Sequence, residues 1–254
     1  MSEIKKDQIF SRQLDEIAKF KFGNEVANVF DDMVNRSIPF YQEIHHILLD
    51  ILKRYQLPKN HDDSLAPIYD LGCSTSETLI TIARSGYLGD LIGIDNSEAM
   101  IEKSKQKIAQ ILPEEKGKQI QLYCDDLRNT SAKYWSNASM IIMNYTLQFV
   151  PLQDRDELLR NIYGRLHEGG IFFLAEKVQT PAKKIEGLVT ELYYDFKRRN
   201  GYSELEISQK RQALEDVLVP VSSQRQIAML REAGFQDVEM IFRWYNFACY
   251  IGIK

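Results

Sequence analysis

The chain has 254 residues, of which 44% are hydrophobic and 27% charged, a balance typical of a globular protein with an apolar core. Its net charge of −4 gives no basic excess for gripping nucleic-acid phosphates, so we expect no stable nucleic-acid binding. No run approaches the ~20 apolar residues of a membrane helix, and the first residues lack an apolar signal core, so we expect a cytoplasmic protein that does not bind membranes.

The first sixty residues predict helices. Residues 1–20 have a polar helical pattern and are expected to be loosely held. Apolar residues recur at helical spacing from Val26 to Met33, and Ser37-Ile38-Pro39 breaks that helix. A second helix follows, with Ile44 to Leu52 supplying its apolar face. We therefore expect N-terminal helices over residues 1–60, ahead of a different pattern.

Short apolar runs alternate with helical segments after residue 66. Five runs predict strands, at 67–71, 91–94, 120–123, 138–143 and 171–175. Nearly continuous apolar strands that alternate with helices are typical of a parallel sheet covered on both faces. Residues Glu157 to Leu166 predict a helix, with Gly169-Gly170 marking its end.

The last third departs from this alternation. Residues 181–220 predict a helical insertion, 224–233 a further helix, and 238–244 with 247–253 an antiparallel pair at the sheet edge. We expect one α/β domain over residues 1–254, with a Rossmann-like, mostly parallel sheet of seven strands, N-terminal helices and the helical insertion.

Polar residues follow the first four strands, at the edge where an open α/β sheet binds its ligands. Gly72 after the first strand lets the backbone pass close to a ligand. Asp95 ends the second strand, where a carboxylate can accept hydrogen bonds from ribose hydroxyls. Asp126 and Asn144 follow the third and fourth strands. Gly72 or Asp95 alone fits an ordinary turn, but the four together predict a nucleotide-like cofactor.

The glycine turn narrows the choice of cofactor. Only Gly72 of a G-x-G-x-x-G pattern is present, and Thr75 and Ser76 stand where further glycines would be expected. A dinucleotide needs close amide contacts to its pyrophosphate. The pattern therefore favours an adenosine cofactor without phosphate, such as S-adenosylmethionine.

The cysteines and histidines predict no metal centre. Cys73, Cys124 and Cys249 are far apart, and none of the four histidines forms a zinc-type pair with a cysteine. Odd, scattered cysteines are typical of a reduced, cytoplasmic protein.

These motifs resemble the class I S-adenosylmethionine-dependent methyltransferases, and more closely the carboxy-S-adenosyl-L-methionine synthase family. The resemblance runs from about Phe22 to the C-terminus. It rests on six segments: 30–33, 36–41, 69–74, 94–97, 144–149 and 195–211. The last is the most specific, because ordinary methyltransferases have nothing like it. Thr75-Ser76-Glu77 departs from the more glycine- and alanine-rich run of the family.

The resemblance implies a reaction and a set of site residues. The family converts S-adenosylmethionine and prephenate into carboxy-S-adenosylmethionine and phenylpyruvate, and a separate enzyme uses the product to carboxymethylate a wobble uridine of tRNA. It also implies a homodimer. By motif position, Arg211 would be the catalytic residue that holds the new carboxylate. The residues that would contact the cofactor are Tyr41, Gly72, Cys73, Ser74, Asp95, Asn96, Asp126, Leu127, Asn144 and Arg211.

Alternatives remain open at this point. Arg211 could lie on a solvated helix face with Glu204, Glu206 and Lys210, and Tyr41 could pack beside Phe40. Cys73 is interpreted as a turn residue that contributes its backbone. Lys197-Arg198-Arg199 could contact a phosphate, attract prephenate or cap a dimer contact. A conventional methyltransferase acting on a small molecule or tRNA, and a non-catalytic sensor of S-adenosyl compounds, would share every strand-end residue.

Overall fold

The computed structural model describes residues 5–128, 135 and 137–254. Its strands are β1 (Ile68–Leu71), β2 (Leu91–Asp95), β3 (Ile120–Cys124), β4 (Ala138–Asn144), β5 (Leu166–Gln179), β6 (Val221–Ser222), β7 (Asp237–Trp244) and β8 (Phe247–Ile253). Its helices are α1 (Asn24–Ser37), α2 (Tyr41–Arg54), α3 (Glu77–Arg84), α4 (Glu98–Ile111), α5 (Glu114–Gly117), α6 (Leu152–Arg165), α7 (Lys183–Arg199), α8 (Glu204–Ala213) and α9 (Ser223–Ala233).

The strands form one sheet in the order β3-β2-β1-β4-β5-β8-β7. The first five strands in that order run parallel to one another. β8 pairs antiparallel with both β5 and β7, and the two-residue β6 pairs parallel with the end of β5. Separate apolar clusters cover the two faces, as the continuous apolar strands require. The prediction of a mostly parallel α/β sheet with an antiparallel edge pair is confirmed.

The predicted N-terminal helices and the predicted helical insertion are both present. α7 and α8 fall within the predicted helical insertion, and α1 and α2 within the predicted N-terminal helices. α1 ends at Ser37 as predicted, and the chain turns into α2 through Phe40, whose left-handed φ of 56° marks the tight bend. Within the described residues, no helix combines the length and apolar character needed to cross a bilayer.

The prediction of a loosely held helix over residues 1–20 is wrong for residues 5–20, which form no helix. Gln209 on α8 donates from Nε2 to the carbonyl oxygens of Phe10, at 3.0 Å, and Arg12, at 2.8 Å. The N–H of Phe20 donates to the carbonyl of Ala213 at 2.8 Å. The backbone groups that a helix would satisfy internally are thus satisfied by a distant helix. Residues 1–4 lie outside the described part of the chain.

The predicted helix from Glu157 to Leu166 is present, but the glycine pair expected to end it has another role. The helix α6 ends at Arg165 and β5 begins at Leu166, so both glycines lie inside the strand. Gly169, with φ +75°, sits where the pairing register between β4 and β5 shifts. Its N–H bonds the carbonyl of Lys254 at 2.8 Å. The glycine pair therefore allows an irregularity in the strand. Glycine is common at such irregularities as well as at helix ends.

Arg155 on α6 joins the parallel sheet to the insertion. Its side chain is 1% exposed, and its guanidinium donates to the carbonyl oxygens of Val150 at 2.8 Å, Gln148 at 3.1 Å and Val219 at 2.7 Å. Gln148 and Val150 belong to the turn after β4, and Val219 follows α8. A single buried cation therefore fixes the two segments relative to each other.

We expect Arg155→Met to lower the free energy of unfolding by about 3 kcal/mol, because three buried carbonyl oxygens lose their donor. Urea unfolding followed by circular dichroism measures the change. Arg160→Met, at an exposed position of the same helix, is the matched control and should change stability by less than about 0.5 kcal/mol. Equal stabilities for the two variants would contradict this role for Arg155.

Candidate functional site

A cavity of about 910 Å³ lies at the carboxyl ends of β1, β2 and β4. Phe20 and Phe22 of the N-terminal segment and side chains of α7 and α8 complete its wall. The volume suits a nucleoside-sized ligand together with a second small molecule. All ten residues predicted from the sequence line it: Tyr41, Gly72, Cys73, Ser74, Asp95, Asn96, Asp126, Leu127, Asn144 and Arg211. Their contacts with a ligand remain predictions.

The turn after β1 requires glycine for two reasons. Gly72 has φ +78°, and a Cβ there would collide with the side chain of Thr146, so any other residue would be strained. The next residue, Cys73, is buried, and burial raises the pKa of its thiol well above the usual value. A buried neutral thiol is a poor nucleophile, in agreement with a turn residue that contributes its backbone.

Thr75-Ser76-Glu77, which departs from the family pattern, is held by side chains. The hydroxyl of Thr75 donates to Asp31 Oδ1 at 2.7 Å, and the Ser76 hydroxyl is hydrogen-bonded to Ser104. Glu77 and Asp31 each lie 2.7 Å from Nζ of Lys107. Polar side chains therefore hold this loop in place.

Asp95 is built to accept hydrogen bonds on both oxygens. It is 8% exposed, Oδ2 accepts the N–H of Ser74 and Oδ1 the N–H of Ser97, both at 2.9 Å. Burial raises the pKa of the carboxyl, and these two N–H groups oppose that rise. Each oxygen has a second lone pair available to a hydroxyl in the cavity. This geometry suits the two hydroxyls of a ribose.

Asp126 has a different environment. The guanidinium of Arg128 donates to both its oxygens, at 3.0 Å from Nε to Oδ1 and 2.6 Å from Nη2 to Oδ2, and lowers the pKa of the carboxyl. Its carboxylate is thus already paired, whereas the neighbouring Leu127 is a buried apolar wall. Stacking against this wall is the better use of the segment for an adenine ring.

Several buried polar atoms among the described residues lack a hydrogen-bond partner, and two of them are the side-chain oxygens Asp70 Oδ1 and Asn144 Oδ1. Both residues line the cavity. Burial, with a contribution from the charge of Asp95, raises the pKa of Asp70 to about 7. Unpaired buried acceptors at a cavity wall fit a ligand that brings N–H or ammonium donors. Asp70 was missed from the sequence, although it stands in the same Asp-Leu-Gly-Cys-Ser run as Gly72.

Tyr41 faces the cavity, and Phe40 does not share its environment. Burial and the nearby carboxylates of Glu77 and Asp70 raise the pKa of the Tyr41 hydroxyl. Phe40 is 51% exposed and packs on Trp244, with ring centroids 5.6 Å apart. Tyr41 also packs against the apolar cluster on this face of the sheet, so it has a packing contact as well as a place in the cavity wall.

Arg211 on α8 is exposed and lines the cavity. The two glutamates that could have paired with Arg211 on a solvated helix face have other partners. Glu204 pairs with Arg198, and Glu206 accepts the N–H of Ser203 at 2.7 Å in the cap of α8. Lys210 lies 3.5 Å from Asp7. Within the described part of the chain, no carboxylate forms an ion pair with Arg211, so its planar fork is available to a ligand carboxylate.

The run Lys197-Arg198-Arg199 does not form one basic patch. Lys197 is 5% exposed and lines the cavity, whereas Arg198 pairs with Asp195 at 2.7 Å and with Glu204. Arg199 is exposed. The three residues point in different directions because they are consecutive on the helix α7. Only the structure therefore shows that Lys197 points into the cavity.

The described residues contain no group of three His, Cys, Asp or Glu side chains arranged to hold a metal ion.

Comparisons with known proteins agree on fold and family. The sequence profile of a family described as "Methyltransferase domain" matches residues 68–170. A carboxy-S-adenosyl-L-methionine synthase from Nautilia profundicola is 42% identical over 248 residues, covering 98% of this chain and 99% of that protein. One from Nitratiruptor sp. is 40% identical, covering 99% of both chains. The structure of an O-methyltransferase family protein from Burkholderia thailandensis superposes with a TM-score of 0.62 at 15% identity, covering 91% of this chain and 60% of that one, and shows the fold alone.

Asp95→Ala should weaken S-adenosylmethionine binding about 100-fold, because two hydrogen bonds from ribose to a carboxylate are lost. Isothermal titration measures the dissociation constant. Asp90→Ala, at an exposed position before β2, is the control and should bind as wild type does. An unchanged dissociation constant for a folded Asp95→Ala protein would refute the ribose role.

Asp70→Asn should change how stability depends on pH. The pKa of Asp70 is about 7 in the folded chain but near 4 in the unfolded chain, so this group destabilises the fold increasingly as the pH rises between those values. The free energy of unfolding of the variant, relative to that of wild type, should therefore rise by up to about 4 kcal/mol between pH 4 and pH 8. Urea unfolding without ligand at both pH values tests this. A stability difference that does not vary with pH would contradict it.

Proposed function

Because the chain belongs to the carboxy-S-adenosyl-L-methionine synthase family, we propose that it converts S-adenosylmethionine and prephenate into carboxy-S-adenosylmethionine and phenylpyruvate. The observation that carries the proposal is the guanidinium of Arg211, which has no ion-pair partner among the described residues and lines the same cavity as the strand-end acceptors. A methyltransferase has no need of a cation facing the methyl group that it transfers. A synthase that turns this methyl into a carboxymethyl group does.

The strand ends supply a position for S-adenosylmethionine. Asp95 would accept the ribose hydroxyls, and the apolar side chain of Leu127 would cover the adenine. Asp70 and Asn144, with their unpaired oxygens, would accept the ammonium group of the methionine moiety. Tyr41 would close over that moiety from α2. This places the sulfonium beyond β4, toward the wall that carries Arg211.

The reaction needs no covalent intermediate with the protein. Prephenate loses its ring carboxyl group as carbon dioxide and its ring hydroxyl as hydroxide, and its ring becomes aromatic. The positive sulfonium acidifies the methyl group of S-adenosylmethionine, which loses a proton to that hydroxide and gives water. The electron pair left on the methyl carbon then forms the bond to carbon dioxide. The cavity has to orient the two reactants and exclude water until that bond forms.

Arg211 would stabilise the new carboxylate with two parallel hydrogen bonds. It would also favour capture over escape of carbon dioxide, because negative charge develops on the carboxyl oxygens as the bond forms. Its freedom from protein carboxylates is what makes this role available. An arginine already paired would have to break that pair first.

The fate of the product is part of the proposal. A carboxymethyl group on a sulfonium is suited to transfer to a nucleophile, and we propose that a separate enzyme places it on a wobble uridine of tRNA. We expect this chain to act in the cytoplasm as a homodimer that does not bind tRNA itself, in agreement with its net charge of −4.

Mass spectrometry of a reaction with S-adenosylmethionine and prephenate tests the proposal. The purified protein should yield a nucleoside heavier by the mass of one carbon dioxide and an equal amount of phenylpyruvate. Formation of S-adenosylhomocysteine with a methylated acceptor would support a conventional methyltransferase instead. No conversion with either small molecules or tRNA would favour a sensor.

Arg211→Lys should retain S-adenosylmethionine binding within about twofold but lower carboxy-product formation about 100-fold, because an ammonium cannot give the paired hydrogen bonds of the guanidinium. Product formation is followed by mass spectrometry, and binding by isothermal titration. Arg199→Lys, exposed on α7, controls for loss of an arginine from the insertion. Wild-type yield from Arg211→Lys would defeat the assignment.

A further inference from the structure

Three lysines from three different elements reach the same cavity. Lys177 lies on β5, Lys197 on α7 and Lys210 on α8, and all three line the cavity wall. Lys197 and Lys210 are each 5% exposed. They meet around two tyrosines: Nζ of Lys177 and Nζ of Lys197 lie 5.0 and 5.1 Å from the ring of Tyr193, and Nζ of Lys210 lies 5.3 Å from the ring of Tyr202.

The three lysines differ in how their charges are compensated. Lys210 lies 3.5 Å from Asp7 and 3.3 Å from the Ser37 hydroxyl. In the described part of the chain, neither Lys177 nor Lys197 has a carboxylate within ion-pair distance. Burial and the neighbouring lysines lower the pKa of Lys197 well below its usual value, against a smaller opposing effect of Asp7. Burial also lowers the pKa of Lys177; the charge of Glu186 opposes this and that of Arg211 adds to it.

Two buried amino groups that face one tyrosine without a carboxylate partner are costly to charge. The ring faces of Tyr193 and Tyr202 attract cations, but this attraction is smaller than the loss of hydration on burial. An anion that enters the cavity would supply the missing partner for both groups. The arrangement therefore has the chemistry of an anion-binding site completed by its ligand.

The place of these lysines in the sheet separates them from the predicted cofactor site. S-adenosylmethionine would occupy the carboxyl ends of β1, β2 and β4, where Asp70, Asp95 and Asn144 present acceptor oxygens. β5 is the neighbour of β4 on the side away from β1. Lys177 is thus one strand further along the sheet, close enough to Arg211 for the two charges to interact.

We propose that Lys177 and Lys197 form a second anion subsite, which binds the carboxylate that the acid donor keeps throughout the reaction and leaves Arg211 for the carboxyl group that moves. This inference rests on the proposed function, in which the donor is a dianion. One of its carboxylates becomes carbon dioxide, and the other stays on the 2-oxo acid side chain. A subsite for the second carboxylate holds the donor in place while the first is lost, which is the requirement for capturing carbon dioxide before it escapes.

Methionine substitutions test the subsite, because they keep the length of the side chain and remove the charge. Lys197→Met and Lys177→Met should each raise the KM for prephenate about 30-fold or more, with the dissociation constant of S-adenosylmethionine changed by less than about twofold. Lys184→Met, exposed on α7, is the matched control and should leave both values unchanged. The melting temperature of ligand-free Lys197→Met should equal or exceed that of wild type, since an unpaired buried charge is removed.

An unchanged KM for prephenate in both variants would overturn the inference, and so would equal losses of S-adenosylmethionine and prephenate affinity. A melting temperature of Lys197→Met well below that of wild type would show a structural role for Lys197. The KM of Lys177→Met for prephenate would then decide, because Lys177 lies on another element.

Binding of phenylpyruvate separates the inference from the proposed function. This product carries the retained carboxylate and requires no turnover. Titrated into protein loaded with S-adenosylhomocysteine, it should bind wild type and lose about 30-fold or more of its affinity in Lys197→Met. That result would support the subsite even if the wild-type protein made no carboxy product. Phenylpyruvate binding that is absent from wild type, or equal in the two proteins, would overturn it.

Discussion

The site depends on one arrangement of charge: acidic groups and lysines lie at two different ends of the same cavity. Carboxylates gather at the ends of β1 and β2, where burial raises the pKa of both Asp70 and Asp95 and the charge of Asp95 raises that of Asp70 further. Ammonium groups gather at β5 and the insertion, where Lys197 is disfavoured in its charged form. Each cluster is unfavourable without a partner. A sulfonium nucleoside at the first and an organic acid at the second would relieve both, and would bring the reacting groups together between them.

The rest of the fold holds these two groups in place. Arg155 joins the turn after β4 to the segment that follows α8, so the two walls of the cavity are fixed to each other. Asp7, brought in by the N-terminal segment, compensates Lys210 and accepts a hydrogen bond from Tyr202 at 2.8 Å. Lys107 holds the loop after Gly72 through Asp31 and Glu77. Side chains from distant parts of the sequence thus surround the cavity, which agrees with the need to exclude water.

The sheet and the position of the site could be predicted from the sequence because both depend on local patterns. Continuous apolar runs determine the parallel strands, and all ten predicted site residues line one cavity. The errors arose where distant contacts override local pattern. Residues 5–20 have a helical pattern but bond to Gln209 on α8, and Gly169 has the appearance of a helix end but occupies a strand irregularity. The inward direction of Lys197 could not be read from three consecutive basic residues, since it depends on where α7 packs.

A crystal structure of the enzyme with carboxy-S-adenosylmethionine would show directly whether Arg211 holds the new carboxylate. We expect both carboxylate oxygens of the new group to lie within about 3 Å of the Arg211 guanidinium, with the ribose hydroxyls on Asp95. An Arg211 side chain directed into bulk solvent, with an apolar wall facing the sulfur, would contradict it.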